Sequence, residues 1–143
     1  MLEGRLAEAR SRAERLPKRP RVFFEEWDDP LISGIGWVSE LVEVAGGIDI
    51  FADRSNQGAA KDRVVTAEEV IAREPDLIIG SWCGKKFRPE RVIARPGFAE
   101  IPAVQRQEIY EIKSSLILQP GPAALTDGLE KLQIIIERWA TRP

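Results

Sequence analysis

The stretch "VTAEEVIAREPDLIIGSW", residues 65–82, decides how the whole chain is read. Its first half is a helix signal. Thr66 precedes an apolar-periodic run and Glu69 stands three residues on, the reciprocal pairing of a capping box. Pro75 closes that helix, because proline lacks the N–H that a helix needs and disfavours helical geometry in the residue before it. Asp76 to Gly80 then reads as a buried strand: a short apolar run, too brief for a helix. A helix that hands directly to a strand is half of a βαβ unit.

The same alternation runs outward on both sides. Upstream, "RVFFEEW" predicts a strand from Arg21 to about Glu25. "GWVSELVEVAGG" predicts a helix with Val38, Leu41, Val42 and Ala45 as its inner face and Gly46-Gly47 as its stop. "IDIF" is a candidate short strand. Downstream, "RPERVIARPGFAEIPAVQRQ" holds one or two short helices broken by Pro96 and Pro102, and "EIYEIK" is a further strand. "PAALTDGLEKLQIIIERWA" predicts a long terminal helix buried through Leu125, Leu129, Leu132 and Ile136. Strands alternating with helices argue for a mostly parallel sheet. The expectation is a three-layer α/β domain of about four strands flanked by helices.

A charged helix precedes it. Leu2, Leu6, Ala9, Ala13 and Leu16 share one face of residues 2–16, and Pro17 and Pro20 end the element. This narrow stripe suits an ordinary surface helix or an arm that bridges two bodies. The reading divides the chain into a linker helix over 1–19 and an α/β domain over 20–143.

The totals exclude several functions. The 143 residues suit one domain with a real core. A net charge of -2 offers no basic footprint for nucleic acid. There is no histidine and a single cysteine, Cys83, which removes Ser-His-Asp and Cys-His catalysis, internal disulfides and the usual zinc sites. Cys83 itself reads as a small inert residue. No apolar run approaches the roughly 20 residues of a membrane span. Residues 1–20 lack the apolar centre of a signal peptide.

The unusual residues collect at strand ends, where ligands bind in open α/β sheets. "RVFF" is followed by Glu25, Glu26, Trp27, Asp28 and Asp29. "DLIIG" is followed by Ser81, Trp82, Cys83, Gly84, Lys85 and Lys86, and "IYEIK" by Ser114 and Ser115. Trp37, at the start of a helix, can reach the same edge. Parallel strands would bring these loops together as a rim. The tryptophans would offer flat contact area with a polar handle, and the lysines would neutralise an anionic group. Each element also has a plainer reading, as cover for the sheet edge or as a solvated turn.

Taken in order, "RVFFEEWDDPLISGIGWVSELVEVAGGIDIF", "VTAEEVIAREPDLIIGSW" and "IPAVQRQEIYEIKSSLILQPGPAALTDGLEKL" resemble the C-terminal lobe of substrate-binding proteins of ABC importers. The group is the cobalamin- and iron-siderophore-binding class, whose lobes are joined by a rigid helix. The resemblance covers about residues 20–138 and makes residues 2–16 the end of the inter-lobe helix. It implies a protein that binds a bulky ligand between two lobes and delivers it to a membrane permease, in the periplasm or at the cell surface, with no cofactor of its own. It places Trp27, Trp82 and Gln119 on the cleft face, with Trp37, Lys85 and Lys86 as further ligand-binding candidates. It gives Glu68 the position of the acidic residue that pairs with permease arginines, although an acid in a first helical turn also complements the helix dipole. The N-terminal lobe has no counterpart in this sequence. Gln119, where some siderophore binders carry a basic residue, leans the ligand toward a neutral or weakly charged one such as a corrinoid. Haem fits less well, because histidine is absent and Tyr110 falls within a strand.

Two other classes compete. Glu25, Glu26, Asp28 and Asp29 could serve as acid-base groups of an enzyme acting on a small molecule or sugar. Exposed Leu2, Leu6 and Leu16 would instead make the first helix an oligomerisation element, with a homodimer as the product.

Overall fold

The computed structural model describes residues 2–57, 59–82, 84–119 and 122–142. Cys83 lies outside them, as do Pro120 and Gly121 of the Pro-Gly-Pro segment. Strand β1 (Arg21–Asp28) is the centre of the sheet. On one side it pairs in parallel with β4 (Leu77–Gly80), which pairs in parallel with β5 (Ile109–Glu111). On its other side two short strands share its length. β3 (Ile48–Asp49) runs parallel to its start, and β2 (Leu31–Ser33) runs antiparallel to its end. The described residues thus give five strands, four of them parallel.

Period-two alternation splits the apolar residues of the central strands between two cores. Val22 and Phe24 of β1, with Leu77 and Ile79 of β4, face one way. There they meet Val38, Leu41 and Val42 of α2 (Gly36–Val44) and Leu129, Leu132 and Ile136 of α7 (Leu129–Ala140). Phe23 and Ile78 face the other way. They are covered by Val70 of α3 (Ala67–Arg73), Val92 of α4 (Pro89–Ile93), Phe98, and Ala103 of α5 (Pro102–Gln105). The result is the expected three layers.

Helix α1 (Leu2–Glu14) folds back on this domain. Leu6, Ala9 and Leu16 pack into the core beneath α2 and α7, so Leu6 and Leu16 are not the exposed surface that self-association would need. Arg12 pairs with Glu137 of α7 at 2.7 Å. Arg19 donates to the carbonyls of Gly46 and Gly47, each at 3.0 Å, and so satisfies acceptors left open at the end of α2. Gly46 makes that stop possible: it sits at φ +106°, and a Cβ there would lie 2.6 Å from the Leu16 side chain.

The capping box forms as the sequence predicts. Glu69 N–H donates to Thr66 Oγ1, and Thr66 N–H to Glu69 Oε1, both at 3.1 Å. Three local features depart from expectation. The first strand continues three residues beyond Glu25, turns at Asp29-Pro30 and returns as β2, so the acidic cluster is a hairpin and not a loop. Ser114 and Ser115 open a short helix, α6 (Ser114–Ile117). The terminal helix begins with a wider π-helical turn, Ala124–Gly128, before α7.

Candidate functional site

Register fixes the geometry of the edge. Glu25, Gly80 and Glu111 stand side by side across β1, β4 and β5, so the carboxyl ends of these three strands lie together. Two grooves open along this edge. The first, of about 320 Å³, is mainly apolar: Trp27, Ile32, Ile35, Trp37 and Leu118 line it, with Glu26 and Arg63 at its margin. The second, of about 410 Å³, is lined by Trp82, Lys85, Lys86, Glu111, Lys113 and the Ser114-Ser115 pair. A third groove lies between α1 and α2, beside Arg19 and at the opposite, amino end of the strands.

Three of the four carboxylates of the acidic hairpin, Glu25, Glu26 and Asp28, are paired from far along the chain. Successive strand residues point to opposite faces, so Glu25 and Glu26 meet different partners. Glu25, fully buried, is gripped by Arg95 of the segment after α4, and it accepts the Trp82 indole N–H at 3.0 Å. Burial lifts its carboxyl above the ordinary value of 4.5, while Arg95 and the Trp82 N–H hold that rise back. Glu26 pairs with Arg63 at 2.8 Å. Arg63, only 3% exposed, also donates to the carbonyls of Ser33 and Gln57, which ties β2 to the segment before α3. Asp28 takes the Lys85 ammonium at 2.5 Å and Arg91 at 3.4 Å. Burial opposes ionisation of Asp28, but the hydrogen bond and charge of Lys85, joined by a backbone hydrogen bond and the Arg91 charge, outweigh it and lower the carboxyl below its ordinary value.

Lys85 is the hinge of the site. Its ammonium lies 4.4 Å from the centre of the Trp27 ring and 5.0 Å from that of Trp82, within cation–π range of both. The structure therefore gathers Trp27, Trp82 and Lys85 around one charge. Trp82 is 3% exposed, packs edge-on against Phe87 with centroids 4.9 Å apart, and is a floor more than a rim. Gly80 admits the Phe87 ring, since a Cβ there would fall 2.0 Å from it. Trp27, half-buried, and Trp37, 36% exposed, are the open aromatic surface. Trp37 donates its indole N–H to the Ile117 carbonyl at 2.9 Å, which joins α2 to the end of α6.

The remaining candidates are spread around this centre. Lys86 lines the second groove and is exposed. Gln119 is exposed next to Leu118 of the first groove but lines neither. Glu68 is exposed in the first turn of α3, while its neighbour Glu69 is engaged by Thr66 and Arg54. Among the described residues Glu68 has no ion-pair partner. Lys113, Ile32, Ile35 and Leu118 escaped the sequence reading. A Pro-containing turn followed by "LIS" was the available signal for β2 and Ile32.

The periplasmic binding protein family model matches residues 1–116. The chain belongs to the periplasmic binding protein family. It is 26% identical over 120 residues to the vitamin B12-binding protein of Vibrio parahaemolyticus, covering 79% of this chain and 39% of that one. The solved periplasmic vitamin B12-binding protein of Vibrio cholerae shares the fold, with a TM-score of 0.71 at 24% identity over 99% of this chain and 52% of that structure. The periplasmic heme-binding protein of Roseiflexus sp. RS-1 superposes with a TM-score of 0.70 at 27% identity, covering 94% of this chain and 53% of the other. The chain thus spans between two fifths and about half of these relatives' length. Among the described residues, no helix is long and apolar enough to cross a membrane.

Proposed function

We propose that this chain is the C-terminal ligand-binding lobe of an ABC-importer substrate-binding protein, with residues 1–19 as its linker helix and residues 20–143 as the lobe. The observation that carries this reading is the pair of open tryptophans, Trp27 and Trp37, flanking an apolar groove at the carboxyl edge of a parallel sheet. A shallow aromatic face of this kind is half of a cleft. Large, flat rings suit a bulky corrinoid or an iron complex, and the relatives named for vitamin B12 and heme support that class. Binding is the task, not catalysis. Of the four carboxylates that acid-base chemistry would use, Glu25, Glu26 and Asp28 are each held by a cation, and Asp29 stands exposed at the hairpin turn.

A second lobe would close the cleft, and Glu68 would meet arginines of a membrane permease. Glu68 suits that role because it is exposed and unpaired among the described residues.

Calorimetric titration of the chain with cobalamin, haem and a ferric siderophore tests the proposal. Heat is expected with one of them, with affinity at least about tenfold weaker in Trp27→Ala, a loss of about 1.4 kcal/mol. Heat that is unchanged in Trp27→Ala and in Trp37→Ala, or no heat with any of the three, would overturn it.

A further inference from the structure

The two grooves differ in chemistry, and they are joined. Lys85 contacts Trp27 of the apolar groove while lining the second with Trp82. The α6 segment contributes Ser114 and Ser115 to the second groove, and Leu118, just past its end, to the apolar one. A ligand lying across Trp27 and Trp37 would therefore extend toward the second groove.

That second groove is cationic. Lys85 is neutralised by Asp28. Lys86 and Lys113 approach from two different strand-end loops, are exposed, and carry no ion-pair partner among the described residues. The Ser114 and Ser115 hydroxyls stand beside them as further donors. Among the described residues Glu111 is the one opposing charge in the lining, so their free charges leave an excess of one cation. Lysine from two loops, hydroxyls between them and an aromatic wall make a site for an anionic group.

We propose that Lys86 and Lys113 recognise a carboxylate or phosphate borne by the ligand whose apolar body rests on Trp27 and Trp37. This rests on the ligand-binding reading above and sharpens it: the ligand is amphipathic and anionic at one end. It also moves the choice of ligand away from the neutral class to which Gln119 pointed. Gln119 lines neither groove.

The test uses a matched pair of probes, protoporphyrin IX, which carries two carboxylates, and its neutral dimethyl ester. Both are titrated against the chain, the double variant Lys86→Gln/Lys113→Gln, and Lys131→Gln. Lys131 is exposed on α7, outside both grooves, and its variant removes the same kind of charge elsewhere. The free acid is expected to bind about tenfold more tightly than the ester. That ratio should fall toward one in the double variant and persist in Lys131→Gln. Equal affinity for acid and ester would overturn this inference while leaving the aromatic face intact. So would a ratio that survives the double variant, or one that falls equally in Lys131→Gln. Failure of both probes to bind would instead strike the macrocycle-binding reading, and this inference with it.

Discussion

Arg95 grips Glu25 with both arms of its guanidinium, across 70 residues of sequence and within a nearly dry setting. Nη1 stands 2.8 Å from Oε2, and Nη2 bonds Oε1, the same oxygen that accepts the Trp82 indole N–H. This pair anchors Glu25, the last buried residue of β1, to the segment that follows α4. It also fixes the floor beneath Lys85. Removing one partner leaves a buried charge without compensation, which costs about 3–5 kcal/mol. Arg95→Ala should therefore lower unfolding stability by about that much in urea titrations. Arg95→Ala/Glu25→Gln should lose less than the two single changes summed, because the stranded charge is gone.

Gly80 governs how the second core closes. A methyl group there would meet the Phe87 ring at 2.0 Å, and Phe87 is pinned between β4 and Trp82. Gly80→Ala is expected to destabilise the fold by about 1–3 kcal/mol through overpacking. In Gly80→Ala/Phe87→Leu the ring that clashes is absent, so thermal unfolding should show a smaller loss than additivity requires.

The cap of α3 carries a pH signature. Hydrogen bonding by Arg54, against a smaller penalty from burial and with help from Thr66, holds the Glu69 carboxyl down to about 2 from its ordinary 4.5. A depressed carboxylate stabilises the fold above its unfolded value, and that contribution disappears as pH falls from about 4.5 toward 2. Glutamine at this position still serves a capping box but has no charge for Arg54. Glu69→Gln should thus cost at most about 1 kcal/mol at neutral pH, the range of a partly exposed ion pair. Stability against acid, followed by circular dichroism, should fall less steeply in that variant over this window.

Trp37 couples the apolar groove to α6. Its N–H to the Ile117 carbonyl at 2.9 Å is the link, and Trp37→Phe removes it while keeping an aromatic surface. About 0.5–1.5 kcal/mol of stability should be lost. Amide exchange at Leu118, whose N–H donates to the Ser114 carbonyl at 2.8 Å, should quicken as the end of α6 loosens.

What the sequence made legible is what short-range chemistry writes. Thr66 and Glu69 are three residues apart, and their capping box formed as read. Val22, Phe23 and Phe24 alternate along β1, and Leu77, Ile78 and Ile79 along β4, so two cores and a central sheet follow. The hairpin was hidden because "EEWDD" has the composition of a solvated loop. The cations that let it be a strand, Arg63 and Arg95, stand 37 and 70 residues away from their partners. A separation of 57 residues likewise concealed Lys85 as the partner of Asp28 and Glu25 as the acceptor of the Trp82 indole N–H, and so made Trp82 look like a rim. Its position at a strand end was visible; the Phe87 ring that buries it was not. The π-helical turn before α7 likewise answers to packing rather than to any local pattern.

The most direct measurement uses the four tryptophans as reporters. Two-dimensional NMR of the indole N–H groups resolves Trp27, Trp37, Trp82 and Trp139 separately, and cyanocobalamin and gallium protoporphyrin IX are diamagnetic probes. With whichever of the two binds, the account predicts the largest shifts at Trp27 and Trp37. Trp82, tied to Glu25 and buried, should move less, and Trp139, which sits on α7 beneath Lys18, should stay still. Shifts led by Trp139, or no movement of Trp27 and Trp37 with either ligand, would contradict the claim that this strand edge is the ligand-binding face.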